Sequence, residues 1–241
     1  MGSIMVRQIA HISLFLFLLS STIYSQWFWQ NPLPQGNDLW GVDFVNDLTG
    51  WAVGRSGAII RTTDGGTSWT SQSCGISIDL TGVSFTDPDN GTAVGLGGTI
   101  LRTTDSGETW ISQTSGINSG LYGVNFVNSN IGTVVGWGGI ILRTTDGGQS
   151  WISQTSGTTN TLLDVCFSDP EIGTVVGYGA SILRTTNGGE SWVWQSGGTQ
   201  TLNSVSFTDS DNGMIVGGGF NYVHYGNILR TTNGGTTWTL Q

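Results

Sequence analysis

Between Leu80 and Gln113 the apolar positions fall into four short runs: Leu80–Phe85, Thr92–Gly95, Thr99–Thr103 and Thr109–Gln113. Turn-forming residues separate them, Asp87-Pro88-Asp89-Asn90-Gly91, then Gly97-Gly98, then Asp105-Ser106-Gly107. Each run has strand length and β-branched content, and none has a helical period, so the stretch predicts four antiparallel strands. The same text recurs. Phe44, Phe85, Phe126, Phe167 and Phe207 keep a beat of about 41 residues, as do Arg61, Arg102, Arg143 and Arg184 and then, after a longer step, Arg230. Five units of this kind predict an all-β fold, a β-propeller whose blades are four-stranded antiparallel sheets. The turn density excludes a helical solenoid.

A phase count leaves one run over. Trp27-Phe28-Trp29-Gln30 matches the fourth-strand text Trp151-Ile152-Ser153-Gln154, although the last unit already ends on its own, Trp238–Gln241. The reading favours a closed five-bladed ring, because exposed strand edges invite aggregation. An open arc, or part of a larger ring completed by other blades, is the alternative.

Composition refines the picture at the start of the chain. Arg7 precedes an apolar run, Ile12–Leu19, with Ser25 before Gln26, which reads as a secretory signal peptide over residues 1–25 and a propeller domain over 26–241. The run is too short to span a bilayer, so no membrane insertion is expected after cleavage, and the location expected is secreted, periplasmic or cell-surface. Without Arg7 there remain six arginines against sixteen acids, a net charge of −10, and no lysine. Such a surface repels phosphate backbones, so nucleic acid is not an expected partner. Cys74 and Cys166 lie at different phases of the repeat and are expected to stay unpaired.

Thr62-Thr63-Asp64-Gly65-Gly66-Thr67-Ser68-Trp69 resembles the Asp-box, or BNR, signature. It returns around Asp105 and Trp110 and around Asp146 and Trp151, while Asn187 with Trp192 and Asn233 with Trp238 carry an asparagine instead. With its Gly-x-x-Val-Gly and Ile-Leu-Arg-Thr-Thr surroundings, the chain is similar to the propeller family that includes the photosystem II assembly and stability factors. The box residues have a local use: the carboxylate or amide accepts bonds from its own turn, and the tryptophan packs between blades. They are expected to be structural.

Function is sought where the repeats differ. After each Val-Gly pair stand Arg55, Leu96, Trp137 and Tyr178, and in the fifth unit an insertion, Gly218–Asn227, carries Phe220, Tyr222, His224 and Tyr225. These turns should gather on one side of the disc, and exposed aromatics commonly anchor partners, so Arg55, Trp137, Tyr178 and the insertion are the first candidate binding surface. The arginines Arg61, Arg102, Arg143, Arg184 and Arg230 are the second, by analogy with the arginine-bearing surface attributed to the assembly factors; the plainer reading ties each to a nearby turn. The pairs Asp87/Asp89 and Asp209/Asp211 lack the other ligands of a calcium loop and read as turns.

Sialidases and other glycosidases also carry Asp boxes on propellers. A sialidase-like site needs three converging arginines, whereas here all but Arg55 of the six share one repeat position, and no metal-ligand or nucleophilic cluster stands out. The expectation is a non-catalytic protein-binding or assembly scaffold without cofactor or metal. A carbohydrate-binding or glycosidase-like propeller is the alternative, with a glycan in place of the protein partner.

Overall fold

The computed structural model describes residues 36–197, 200–218 and 226–241. Five four-stranded sheets form the blades of a five-bladed β-propeller. Blade 1 is β1 (Leu39–Phe44), β2 (Gly50–Gly54), β3 (Ile59–Thr62) and β4 (Thr70–Gln72); blade 2 is β5 (Leu80–Phe85), β6 (Gly91–Gly95), β7 (Ile100–Thr103) and β8 (Ile111–Gln113). Blade 3 is β9 (Leu121–Phe126), β10 (Gly132–Gly136), β11 (Ile141–Thr144) and β12 (Ile152–Gln154); blade 4 is β13 (Leu162–Phe167), β14 (Gly173–Gly177), β15 (Ser181–Thr185) and β16 (Val193–Trp194). Blade 5 is β17 (Leu202–Phe207), β18 (Gly213–Gly218), β19 (Gly226–Thr231) and β20 (Thr239–Leu240). Within each blade, sequential strands pair antiparallel in chain order. The sequence placed these runs within two residues of their observed ends, except that Trp110 stands before β8 rather than in it.

One glycine fixes the start of every second strand. A Cβ on Gly132 would lie 2.4 Å from the ring of Phe126, its cross-strand neighbour, and Gly91 meets Phe85 in the same way. Only hydrogen leaves room for the ring, which then lies flat over the backbone.

The core lies between blades and not within them. Val94 and Ile100 of blade 2 pack with Leu121, Val124 and Phe126 of blade 3, and the same positions meet at the other junctions up to blade 5. Two polar contacts recur there. The amide of each incoming phenylalanine donates to the side chain preceding the previous blade's own phenylalanine: Phe85 to Asp43 at 2.6 Å, Phe126 to Ser84 at 3.1 Å, Phe167 to Asn125 at 2.9 Å, and Phe207 to the Cys166 sulfur. Each fourth-strand glutamine donates across the next junction, Gln72 to the Ser106 carbonyl, Gln113 to Gly147 and Gln154 to Gly188.

The seam between blade 5 and blade 1 is packed differently among the described residues. Leu39, Val42 and Phe44 on one side and Met214, Val216 and Ile228 on the other are exposed, where their counterparts in the interior blades are buried. The outer strands are edges in every blade, and what the seam leaves in water is two apolar faces. Trp27–Gln30, the surplus strand, lies outside the described residues. Cys74 and Cys166 are both free thiols.

Candidate functional site

Each Asp box is a closed hydrogen-bonded loop. Thr144 Oγ1 donates to Asp146 Oδ1 at 2.8 Å and accepts from the Gly148 amide at 2.8 Å. Asp146 Oδ1 also accepts the Ser150 amide at 2.9 Å, and its Oδ2 accepts the Ser150 hydroxyl at 2.6 Å. Those donors favour the ionised form and lower the carboxyl to about 2. Asp64 and Asp105 bind in the same way and are likewise lowered, first by the hydroxyls of Ser68 and Thr109. Asn187 and Asn233 keep the geometry with an amide oxygen. The acceptor sites of these groups are spent on their own turns.

The box tryptophans correct the expectation of full burial. Trp69, Trp110, Trp151 and Trp192 are only half-buried, and Trp238 alone is buried. Each stands edge-on to its own blade's phenylalanine, Phe126–Trp151 at 6.0 Å and Phe85–Trp110 at 5.9 Å. The indole N–H of Trp151 turns back to Gln113 of the preceding blade, and that of Trp192 to Gln154. The ring therefore lies along the outer rim of a junction, with one edge inside and one outside.

The repeated arginines are mostly committed to the fold. Arg143 is 8% exposed; it donates to Thr133 Oγ1 at 2.7 Å and to the Pro170 carbonyl of the next blade at 2.5 Å, with its guanidinium 4.6 Å from the Phe167 ring. Arg102 repeats this with Thr92, Ser129 and Phe126. Burial lowers the pKa of both, against the opposing pull of Glu171 and Asp87 respectively. Arg184 reaches the Gly234 carbonyl, and Arg61 stacks 5.4 Å from Trp51, which itself stacks on Phe85. Arg230 is the exposed one.

The variable turns do gather on one face. In blades 1 to 4 the residue after strand two donates its amide to the carbonyl of the residue just before strand one, Arg55 to Asp38, Leu96 to Asp79, Trp137 to Gly120 and Tyr178 to Thr161, and in blade 5 Gly218 at the end of β18 donates to Thr201. That bond fixes the turns beside the connections that enter each blade. The next two residues then take a tight 3-10 turn through positive φ, as at Gly138 (68°) and Gly139 (81°). A Cβ on Gly139 would collide with the Thr158 carbonyl. The backbone frame is thus shared by blades 1 to 4, while the first side chain changes from blade to blade.

On that frame Trp137 is 60% exposed, and Leu96 and Tyr178 are exposed as well. Arg55 stands in the same place on blade 1, 3.8 Å from Asp38, both in solvent. Tyr122, on β9, was not singled out from sequence. Its phenol is raised by burial and then by neighbouring Tyr178, and it lies with Leu96 around the Gly120 backbone. The signal was available: the second position of the first strand reads Trp40, Thr81, Tyr122, Leu163 and Asn203, varying as freely as the turns. Phe220, Tyr222, His224 and Tyr225 lie outside the described residues. A hollow of about 670 Å³ beside Trp137, lined by Gly138–Ile140 and Ser153–Thr159, has an equivalent of about 610 Å³ in blade 1, so it belongs to the repeat.

Asp87 and Asp209 are turn caps. Asp87 Oδ1 accepts the amides of Asp89 and Asn90, and Asp209 those of Asp211 and Asn212. Among the described residues, no group of three or more His, Cys, Asp or Glu is placed to hold a metal.

The family described as photosynthesis system II assembly factor YCF48 matches residues 69–156 and 151–241. The chain belongs to that family. YCF48 from Cyanidioschyzon merolae shares 19% identity over 88% of this chain and 87% of its own length, with a TM-score of 0.63. The Niastella koreensis GH74 enzyme shares 17% over 84% of this chain but 38% of its own, with a TM-score of 0.67, and the WD40 propeller domain of Doa1 shares 11% over 86% and 83%, with 0.63. At such identities the structural likenesses show the fold alone. No curated protein sequence matches the chain. Within this chain the Asp boxes and buried arginines account for many of the repeated residues, and Arg55, Leu96, Tyr122, Trp137 and Tyr178 are where its blades differ on one face.

Proposed function

We propose that this YCF48-family propeller is a secreted, non-catalytic scaffold that binds a protein segment on the face bearing Arg55, Leu96, Tyr122, Trp137 and Tyr178. One observation carries the reading: the same turn frame recurs in neighbouring blades and carries a different side chain into solvent in each, Arg55, Leu96, Trp137 and Tyr178. Rigid aromatic groups on a fixed frame lose little entropy on binding and commonly supply the anchors of an interface. Arg55 adds a positive point at one end, next to Asp38. The membership of a family described as an assembly factor supports a protein partner over a glycan. The non-catalytic part rests on the box carboxylates, whose oxygens are occupied by their own turns. Secretion rests on residues 1–25.

A peptide array and a glycan array probed with the same chain test the reading. Trp137→Ala and Tyr178→Ala are each expected to weaken peptide capture by about thirtyfold, since each anchor supplies about 2 kcal/mol, at an unchanged unfolding midpoint. Glycan capture without peptide capture, or hydrolysis of a polysaccharide by the chain, refutes it.

A further inference from the structure

We infer that the two uncovered faces at the seam join head to tail between two copies of this chain, blade 5 of one copy seating blade 1 of another. Both halves of a junction that the protein builds four times are present and unused. Val42 is 63% exposed, against 8% for Val83 and Val124 and 3% for Val165 at its place in later blades. On the other side Val216 is 43% exposed, against 0% for Val53, Val94, Val135 and Val176. Ile228 and Phe44 follow suit. Contiguous apolar side chains left in solvent on both faces mark an interaction site.

The faces also carry matching polar contacts. Ser206 immediately precedes Phe207 as Ser84 precedes Phe85, and Ser84 accepts the amide of the next blade's phenylalanine. Ser206 is exposed, and the amide that it fits by this rule is that of Phe44. Arg230 stands where Arg102 and Arg143 stand, and those reach the carbonyls of Ser129 and Pro170; the repeat-equivalent carbonyl on blade 1 is that of Asp47. Ser206, Met214 and Arg230 line a mostly apolar hollow of about 610 Å³. At the junction of blades 2 and 3 the corresponding place, between Ser84, Thr92 and Arg102, holds Phe126. The hollow is thus a vacant phenylalanine seat, and the exposed Phe44 is the residue with the right frame to fill it.

A second copy is favoured as the occupant because the interface is heterologous: the face that needs covering and the face that covers it differ, and each copy offers one of each. A run of copies satisfies all but the two end faces.

Sedimentation of the intact chain across a concentration series, up to about 100 µM, reads the association. The wild type is expected to associate as concentration rises. Val42→Asp and Val216→Asp are each expected to weaken this by about a hundredfold or more, since each buries an unpaired carboxylate in every junction. Both positions are exposed in the single chain, so the unfolding midpoint of dilute protein should not move. Mixing the two variants is decisive: the intact blade 5 face of Val42→Asp meets the intact blade 1 face of Val216→Asp, and 1:1 pairs form. Ser206→Val, a milder change that removes only the hydrogen-bond acceptor, should weaken association by about tenfold. A wild type that stays monomeric means that the chain, or another molecule, covers its own seam and overturns the proposal. Loss of association in only one of the two aspartate variants, or a mixture that fails to pair, overturns it equally, because both indicate like faces joining like.

Discussion

Arg143 and Arg230 occupy the same place in the repeat, so truncating each to alanine separates what the position requires from what its surroundings supply. Arg143 is 8% exposed, bonded to Thr133 and to the Pro170 carbonyl, and lies 4.6 Å from the Phe167 ring. A hydrogen bond from a charged donor contributes about 1.5–3 kcal/mol, and a half-desolvated cation over an aromatic ring about 1 more. Against this stand the desolvation of the guanidinium, which lowers its pKa, and the water that enters once the side chain is gone. The balance predicts a loss of about 2–4 kcal/mol for Arg143→Ala. At a urea slope of about 2 kcal/mol/M this is a fall in midpoint of about 1–2 M. Arg230 is exposed and has no next blade to hold, so Arg230→Ala in dilute, monomeric protein should stay within about 0.5 kcal/mol of wild type. Arg143→Lys should recover little, because an ammonium has no planar fork to span Thr133 and Pro170 at once. Equal urea midpoints for Arg143→Ala and Arg230→Ala would refute the reasoning, since repeat identity and not the junction would then set the cost.

Two carboxylates should give pH dependences of opposite sign. Asp146 has a folded value near 2 against an ordinary 3.8, so its stabilisation is present above the unfolded value and is lost as pH falls through about 2. Asp146→Asn, which copies Asn187, should flatten the acid limb of the unfolding-midpoint profile. Asp164 is raised by burial, so its favourable contribution is present below the unfolded value and is lost as pH rises through the folded one. The midpoint of Asp164→Asn relative to wild type should therefore climb from pH 3 to pH 7, and a flat difference would show that the carboxyl is solvated. Trp110→Ala should cost about 2–3 kcal/mol by urea unfolding, below the 3–5 of a fully buried indole, because the ring is half-buried and edge-on to Phe85.

The periodic part of the fold was legible because each blade repeats one physical problem. A ring must lie over the start of strand two, hence the pair Phe126 and Gly132; a turn must close on itself, hence Thr144, Asp146 and Ser150. Repetition at a fixed interval exposes such needs even without a second sequence. Two features escaped for the same reason. The depth of Trp110 and Trp151 depends on where the ring sits along a junction, and the spacing that locates the residue says nothing of that. The seam escaped because Leu39, Val42 and Phe44 are identical or similar in type to residues that are buried elsewhere, so their letters promise a core. What decides burial at the two ends of a repeat array is the neighbour, and the first and last units alone lack one. Most arrays place polar residues there. This chain keeps valine, isoleucine and phenylalanine on both end faces together with a serine and an arginine in register, which is the composition of a junction and not of a cap. Had Val42 and Val216 been acidic, the end faces would read as caps; as they stand, the sequence has retained the chemistry of a fifth interface on five blades.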